Sequence, residues 1–108
     1  PVRPISVFQP TRILTSSNAV DLRDWAQEAI AAGTRYLVVD LQAVSFMDSS
    51  GLGALMSIQA MVRAAHRELI VCGISGQARM LFEMTTTHQV FKIYKNLREF
   101  EESLEDDA

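Results

Sequence analysis

The residues best suited to do chemistry fall in a single run, Val44-Ser45-Phe46-Met47-Asp48-Ser49-Ser50-Gly51-Leu52-Gly53-Ala54-Leu55. It leads from the end of an apolar stretch, through a short loop, into a helical pattern. The first turn of a helix has unsatisfied backbone N–H groups and carries a partial positive charge. Asp48, Ser49 and Ser50 are all cap or first-turn types, so the simplest role for Asp48 or Ser49 is to cap that helix. A serine hydroxyl exposed beside the cap has a second use, because a phosphate is welcome at a helix start. The two roles are compatible, with one residue capping and another modified. Gly51 and Gly53 permit close backbone approach, and at Gly51 an unusual φ is expected.

Other reactive side chains give less. A serine hydrolase needs a base and an oriented nucleophile, and Ser50 does not stand in a Gly-x-Ser-x-Gly elbow. His66 and His88, the two histidines, fall in polar stretches at element ends and read as solvated surface. Asp40 and Asp48 faintly suggest a phosphoacceptor aspartate but lack an accompanying acidic pair and lysine. No His, Cys and carboxylate cluster has metal-ligand spacing, no P-loop occurs, and Gly51-Leu52-Gly53 lacks the third glycine of a dinucleotide fingerprint. The expectation is a protein that is not an enzyme, with no metal and no cofactor. Cys72 is the only cysteine, which forbids an internal disulfide. Its apolar setting, Leu69-Ile70-Val71-Cys72, reads as a small buried hydrophobe and fits a reducing cytoplasm.

The elements that must position the run are short and alternate in type. Tyr36–Leu41 and Glu68–Gly73 are apolar, β-branched and bounded by turn residues, which predicts buried strands. The helical pattern Ser49–His66 between them predicts a right-handed βαβ crossover joining parallel neighbours. Its many apolar residues suit a buried helix, with Ser57, Gln59 and Arg63 marking a wet side and Met56 or Met61 available to a partner. Upstream, Ile5–Phe8 and Arg12–Leu14 read as edge strands around Pro10. Ser16-Ser17-Asn18 offers caps for a helix over Ala19–Ala32, with Val20, Trp25, Ala26, Ala29 and Ile30 inward and Gly33 as its stop. Ser75 can cap a helix through about Thr85, with Ala78, Leu81 and Phe82 inward and at least one of Met80 and Met84 in the core. Val90–Lys95 reads as a last strand. Asn96 and Glu99 form a capping box before a helix that packs Leu97, Phe100 and Leu104 on the sheet, and Glu101–Asp107 is an acidic end.

A chain of 108 residues fits one domain, residues 1–108. With 48% hydrophobic and 21% charged residues it has enough apolar material to fold, which excludes disorder for its bulk. Ten Lys and Arg against thirteen Asp and Glu give a net charge of −3. The cations, Arg3 to Arg98, are scattered, so no phosphate-tracking stripe for nucleic acid is expected. No apolar run approaches the roughly 20 residues of a membrane span, and no signal peptide is visible. The chain begins at Pro1 instead of Met, which fits removal of something upstream.

From about Ile13 to Leu104 the chain resembles the STAS domains of the anti-sigma factor antagonist, or anti-anti-sigma factor, family. The resemblance is carried by Phe46-Met47-Asp48-Ser49-Ser50-Gly51-Leu52-Gly53, then Leu69–Gly73, Ala78–Met84 and Phe91-Lys92-Ile93-Tyr94 in register. It implies an α/β STAS-type single domain: a small mixed, mainly parallel sheet packed by about four helices. It also implies Ser50 as the phosphorylation site, since the family's phosphoserine immediately precedes the glycine of this run. The unphosphorylated form of such a protein binds an anti-sigma factor, commonly a serine kinase of the histidine-kinase-like ATPase type, and so releases a sigma factor. Phosphorylation reverses this, and a PP2C-type phosphatase resets it. The implied partner-binding residues are Asp48, Ser49, Ser50, Gly51, Leu52, Gly53 and Met56, in a cytoplasmic regulator. A STAS scaffold in a larger signalling assembly and a nucleotide-hydrolysing domain are the alternatives. Many relatives carry a glycine near the turn after the third helix, where this chain has Met84-Thr85-Thr86-Thr87-His88-Gln89-Val90. Thr85 to Thr87 are secondary candidates for modification.

Overall fold

The computed structural model describes residues 4–106; Pro1, Arg3 and Asp107 lie outside the described residues. Along the chain run β1 (Ile5–Phe8), β2 (Arg12–Leu14), α1 (Ala19–Ala31), β3 (Tyr36–Asp40), β4 (Val44–Met47), α2 (Ser49–Ala64), β5 (Glu68–Cys72), α3 (Gly76–Met84), a 3-10 turn (Thr87–Gln89), β6 (Lys92–Tyr94) and α4 (Leu97–Asp106). Four strands form one sheet in the order β1-β3-β5-β6, and β2 pairs with β4 in a second, two-stranded sheet. The sheet expected to be mixed and mainly parallel is parallel in every described pairing.

Two apolar faces arise from the period of two in β3 and β5. Leu37, Val39, Leu69 and Val71 join the larger core with Leu22 and Ala26 of α1 and Leu55, Ile58 and Val62 of α2. Val38, Ile70 and Cys72 point the other way, against Phe100 of α4. There the Phe100 ring meets those of Tyr36 and Tyr94 edge-on, at 5.5 and 5.2 Å between centroids. Strands buried on both faces read as continuous apolar runs, which is why these two were legible.

The crossover between β3 and β5 differs from the expected simple βαβ unit. Val44–Met47 is a strand of its own and not the tail of the preceding one, and it leaves the main sheet to pair with β2. Α1 also differs: Val20 is 54% exposed, while Leu22 is fully buried, because the stripe Ala19, Leu22, Ala26, Ala29 faces the core. Asn18 occupies the N-cap position without capping. Its side chain accepts from the Thr15 amide and donates to the Ile13 carbonyl, tying the turn after β2. Gly33 ends the helix at φ 81°, as expected of a C′ glycine. Ser75 stands at the N-cap of α3 without a side-chain cap, whereas Asn96 Oδ1 accepts from the Glu99 amide at 2.8 Å. Met80 and Met84 are both exposed, which overturns the core assignment for that pair.

Candidate functional site

The run Asp48–Gly53 forms the junction of β4 and α2, and its residues divide into an inward and an outward set. Asp48 is the N-cap: its backbone is extended, and its Oδ1 accepts from the Gly51 amide at 3.1 Å. The Leu52 amide then donates to the Asp48 carbonyl at 3.1 Å, the first bond of the helix. Gly51 is buried, and a Cβ there would lie 2.1 Å from the Leu14 carbonyl oxygen. The expected close approach therefore exists, but it is to the chain's own β2. Gly51 is not among the described residues with positive φ, so its freedom is used for space alone. Leu52 is 7% exposed and packs in the main core.

Ser49, Ser50, Gly53 and Met56 face outward. Ser50 is the second residue of α2, so its hydroxyl sits in the first turn while Asp48 fills the cap. Gly53 has open space where a Cβ would be, and Met56 is 39% exposed. Of the seven residues expected to meet a partner, Gly51 and Leu52 are turned inward and can act only by setting the backbone; Asp48 is half-buried. The wet side of α2 is also revised. Gln59 is buried, because its Nε2 donates to the Val90 carbonyl at 2.8 Å.

One side chain that the sequence did not single out holds the junction. Gln77 of α3 bonds both polar groups of the Met47 backbone: the Met47 amide donates to Oε1 and Nε2 donates to the Met47 carbonyl, each at 2.8 Å. A carboxamide here acts as one more peptide unit along the edge of β4. On the outer face of the β2–β4 pair, Ile13 and Phe46 are register partners and are 39% and 46% exposed.

The remaining reactive groups stand apart. Cys72 is buried, and burial, assisted by the Asp40 charge, pushes its thiol up to about 12. A thiol so raised is a poor nucleophile at neutral pH. His66 and His88 are exposed at element ends. Among the described residues no three His, Cys, Asp or Glu side chains come together, and no helix is long and apolar enough to cross a membrane.

Comparison with known proteins adds the family context. The family model described as STAS domain matches residues 2–100. The anti-sigma-B factor antagonist of Staphylococcus aureus is 40% identical over 53 residues, which are 49% of this chain and 49% of that protein. The chain thus aligns with about half the length of the curated relatives it matches. An anti-sigma factor antagonist from Mycobacterium paratuberculosis superposes with a TM-score of 0.76 at 23% identity, over 88% of this chain and 80% of the other. The anti-sigma factor antagonist SpoIIAA in its unphosphorylated form gives 0.71 at 20% identity, over 98% and 91%. The Bacillus protein SpoIIAA in its phosphorylated form gives 0.69 at 20% identity, over 98% and 93%. At these identities the structures share the fold.

Proposed function

We propose, from the premise that this chain belongs to the STAS domain family, that it is an anti-sigma factor antagonist switched by phosphorylation at Ser50. Unphosphorylated, it binds a cognate anti-sigma factor that is also a serine kinase of the histidine-kinase-like ATPase type, and so frees a sigma factor. Phosphate on Ser50 ends that binding, and a PP2C-type phosphatase restores it. The reading is supported by similarity to antagonists and by SpoIIAA having been solved in phosphorylated and unphosphorylated forms.

The observation that carries it is the division of labour at the start of α2. Ser50 is exposed and does not cap, because Asp48 already caps through the Gly51 amide. The hydroxyl is therefore open to a kinase without dismantling the helix. Around it, Ser49, Gly53 and Met56 give a shallow outward surface on which a partner can close. A phosphoryl group adds about −1.5 to −2 charges and three acceptor oxygens. Pressed against a partner built for a neutral hydroxyl, it brings bulk and unpaired charge, and a loss of about 1.4 kcal/mol already weakens binding tenfold.

The test is calorimetric titration of the anti-sigma factor with the Ser50→Ala and Ser50→Asp variants, paired with site-resolved mass spectrometry of the protein from its native cells. Ser50→Ala should bind like the parent and Ser50→Asp at least about tenfold more weakly. Equal affinities, or phosphate on Thr85 to Thr87 with Ser50 clean, would refute the switch.

A further inference from the structure

The cations that are scattered along the sequence converge at the other end of α2. A cleft of about 250 Å³ lies between the C-terminal turns of α2 and the β5–β6 side of the sheet, lined by Gln59, Arg63, Arg67, Glu68, Val90 and Lys92. Glu68 is the one carboxylate in its wall, and it is already engaged. Lys92 Nζ donates to its Oε1, and Arg35 Nη2 lies 3.7 Å from its Oε2. Arg63 and Arg67 make no ion pair among the described residues. Arg67 Nε is buried and has no hydrogen-bond partner there. Leaving a guanidinium donor unpaired is costly, so the Arg67 side chain lining this cleft is short of an acceptor.

We propose that this cleft binds a small phosphate-bearing anion, with Arg67 and Arg63 as its principal donors and Lys92, held by Glu68, at the rim. Arginine forks match phosphate oxygens in pairs, which is the geometry that two unengaged guanidinium groups supply. The wall carries three cations and one neutralised carboxylate in a chain whose net charge is −3, so the excess positive charge is local. The cleft, about 250 Å³ and open on one side, has room for a phosphoryl or diphosphate group. The site is separate from the Ser50 surface: along α2 the rise from Ser50 is about 14 Å to Gln59 and about 20 Å to Arg63.

The experiment is an NMR titration of the isotope-labelled full chain with inorganic pyrophosphate, at ionic strength held constant with sodium chloride, and a parallel titration with glycerol 3-phosphate. Saturable shifts are expected at the amides of Arg63 to Leu69 and Val90 to Lys92, with Ser49 to Gly53 unmoved. Tighter binding of pyrophosphate assigns the site to an inorganic diphosphate, and tighter binding of glycerol 3-phosphate to a metabolite's phosphoryl group. Arg67→Gln and Arg63→Gln should each weaken the better ligand about tenfold, while Arg98→Gln on α4 leaves it unchanged. Should Arg67→Gln fail to fold, the exposed Arg63 supplies the test by itself. Shifts that never saturate for either anion, shifts centred on Ser49 to Gly53, or unaltered affinity in Arg63→Gln would overturn the proposal.

Discussion

Replacing Gly51 by alanine should destabilise the fold by about 2 kcal/mol, whereas the same change two residues later should stabilise it. The new Cβ at position 51 would lie 2.1 Å from the Leu14 carbonyl oxygen, 2.8 Å from its carbon and 3.0 Å from Leu14 Cγ. Relief requires a shift of about 1.3 Å between the start of α2 and the end of β2, since normal contacts begin near 3.4 Å. That shift meets a backbone atom, not the far end of a flexible side chain. It also pulls on the amide of Asp48, which donates to the same carbonyl at 3.4 Å. Overpacking of this kind costs about 1–3 kcal/mol and more where backbone is hit. Alanine's advantage over glycine inside a helix returns about 0.5–1 kcal/mol, leaving the net loss near 2. At Gly53 nothing lies within 4 Å, so only the helix gain remains. Urea unfolding of the two variants should therefore give midpoints on opposite sides of the parent, and the melting temperature of Gly51→Ala should fall by about 10 °C. If Gly51→Ala is as stable as the parent, the close approach of α2 to β2 is not what requires glycine there.

Two further substitutions test the supports of the site and the turn after α3. Gln77→Ala leaves both polar groups of the Met47 backbone without their partner, and should cost about 2 kcal/mol in chemical denaturation while speeding hydrogen exchange at the Met47 amide. Unchanged exchange there would refute the anchoring role. Thr86 adopts φ 57°, a left-handed conformation unfavourable for a β-branched residue. Thr86→Gly should therefore raise stability by about 0.5–1 kcal/mol despite losing the bond from the Thr86 hydroxyl to the Thr85 carbonyl, and a lowered unfolding midpoint would show that this bond outweighs the strain.

That second substitution also explains a departure visible in the sequence. The turn after α3 has threonines and no glycine, and the backbone takes a positive φ at Thr86. What was legible rested on local rules: buried strands as apolar runs, Gly33 as a helix stop, Asn96 and Asp48 as caps. Β4 escaped because its burial follows Val44 and Met47 with two exposed residues between, a spacing that fits neither a half-buried strand nor a fully buried one. It is a strand by virtue of its partner β2, and Gln77 closes its other side. Gln59 was read as wet because its partner, the Val90 carbonyl, lies 31 residues away. The cleft cations were read as scattered for the same reason, since Arg63, Arg67 and Lys92 meet only through the pairing of β5 with β6. Long-range partners leave no periodic trace.

The start of α2 must satisfy a fold and a switch together, and the electrostatics indicate which of them responds to a phosphate on Ser50. The helix terminus favours added negative charge by about 0.3–1 kcal/mol, and the Ser49 and Ser50 amides have no intrahelical acceptor. Against this, Asp48 already places a carboxylate at the same terminus. Two like charges about 4 Å apart in water repel by about 1 kcal/mol. The opposing contributions nearly cancel, so the folded state should be almost indifferent to charge at position 50. Ser50→Asp is accordingly expected to unfold within about 0.5 kcal/mol of the parent while losing its partner. A drop of several kcal/mol in that variant would mean that the added charge acts by disrupting the domain, and weakened binding by Ser50→Asp would then carry no information about a surface switch.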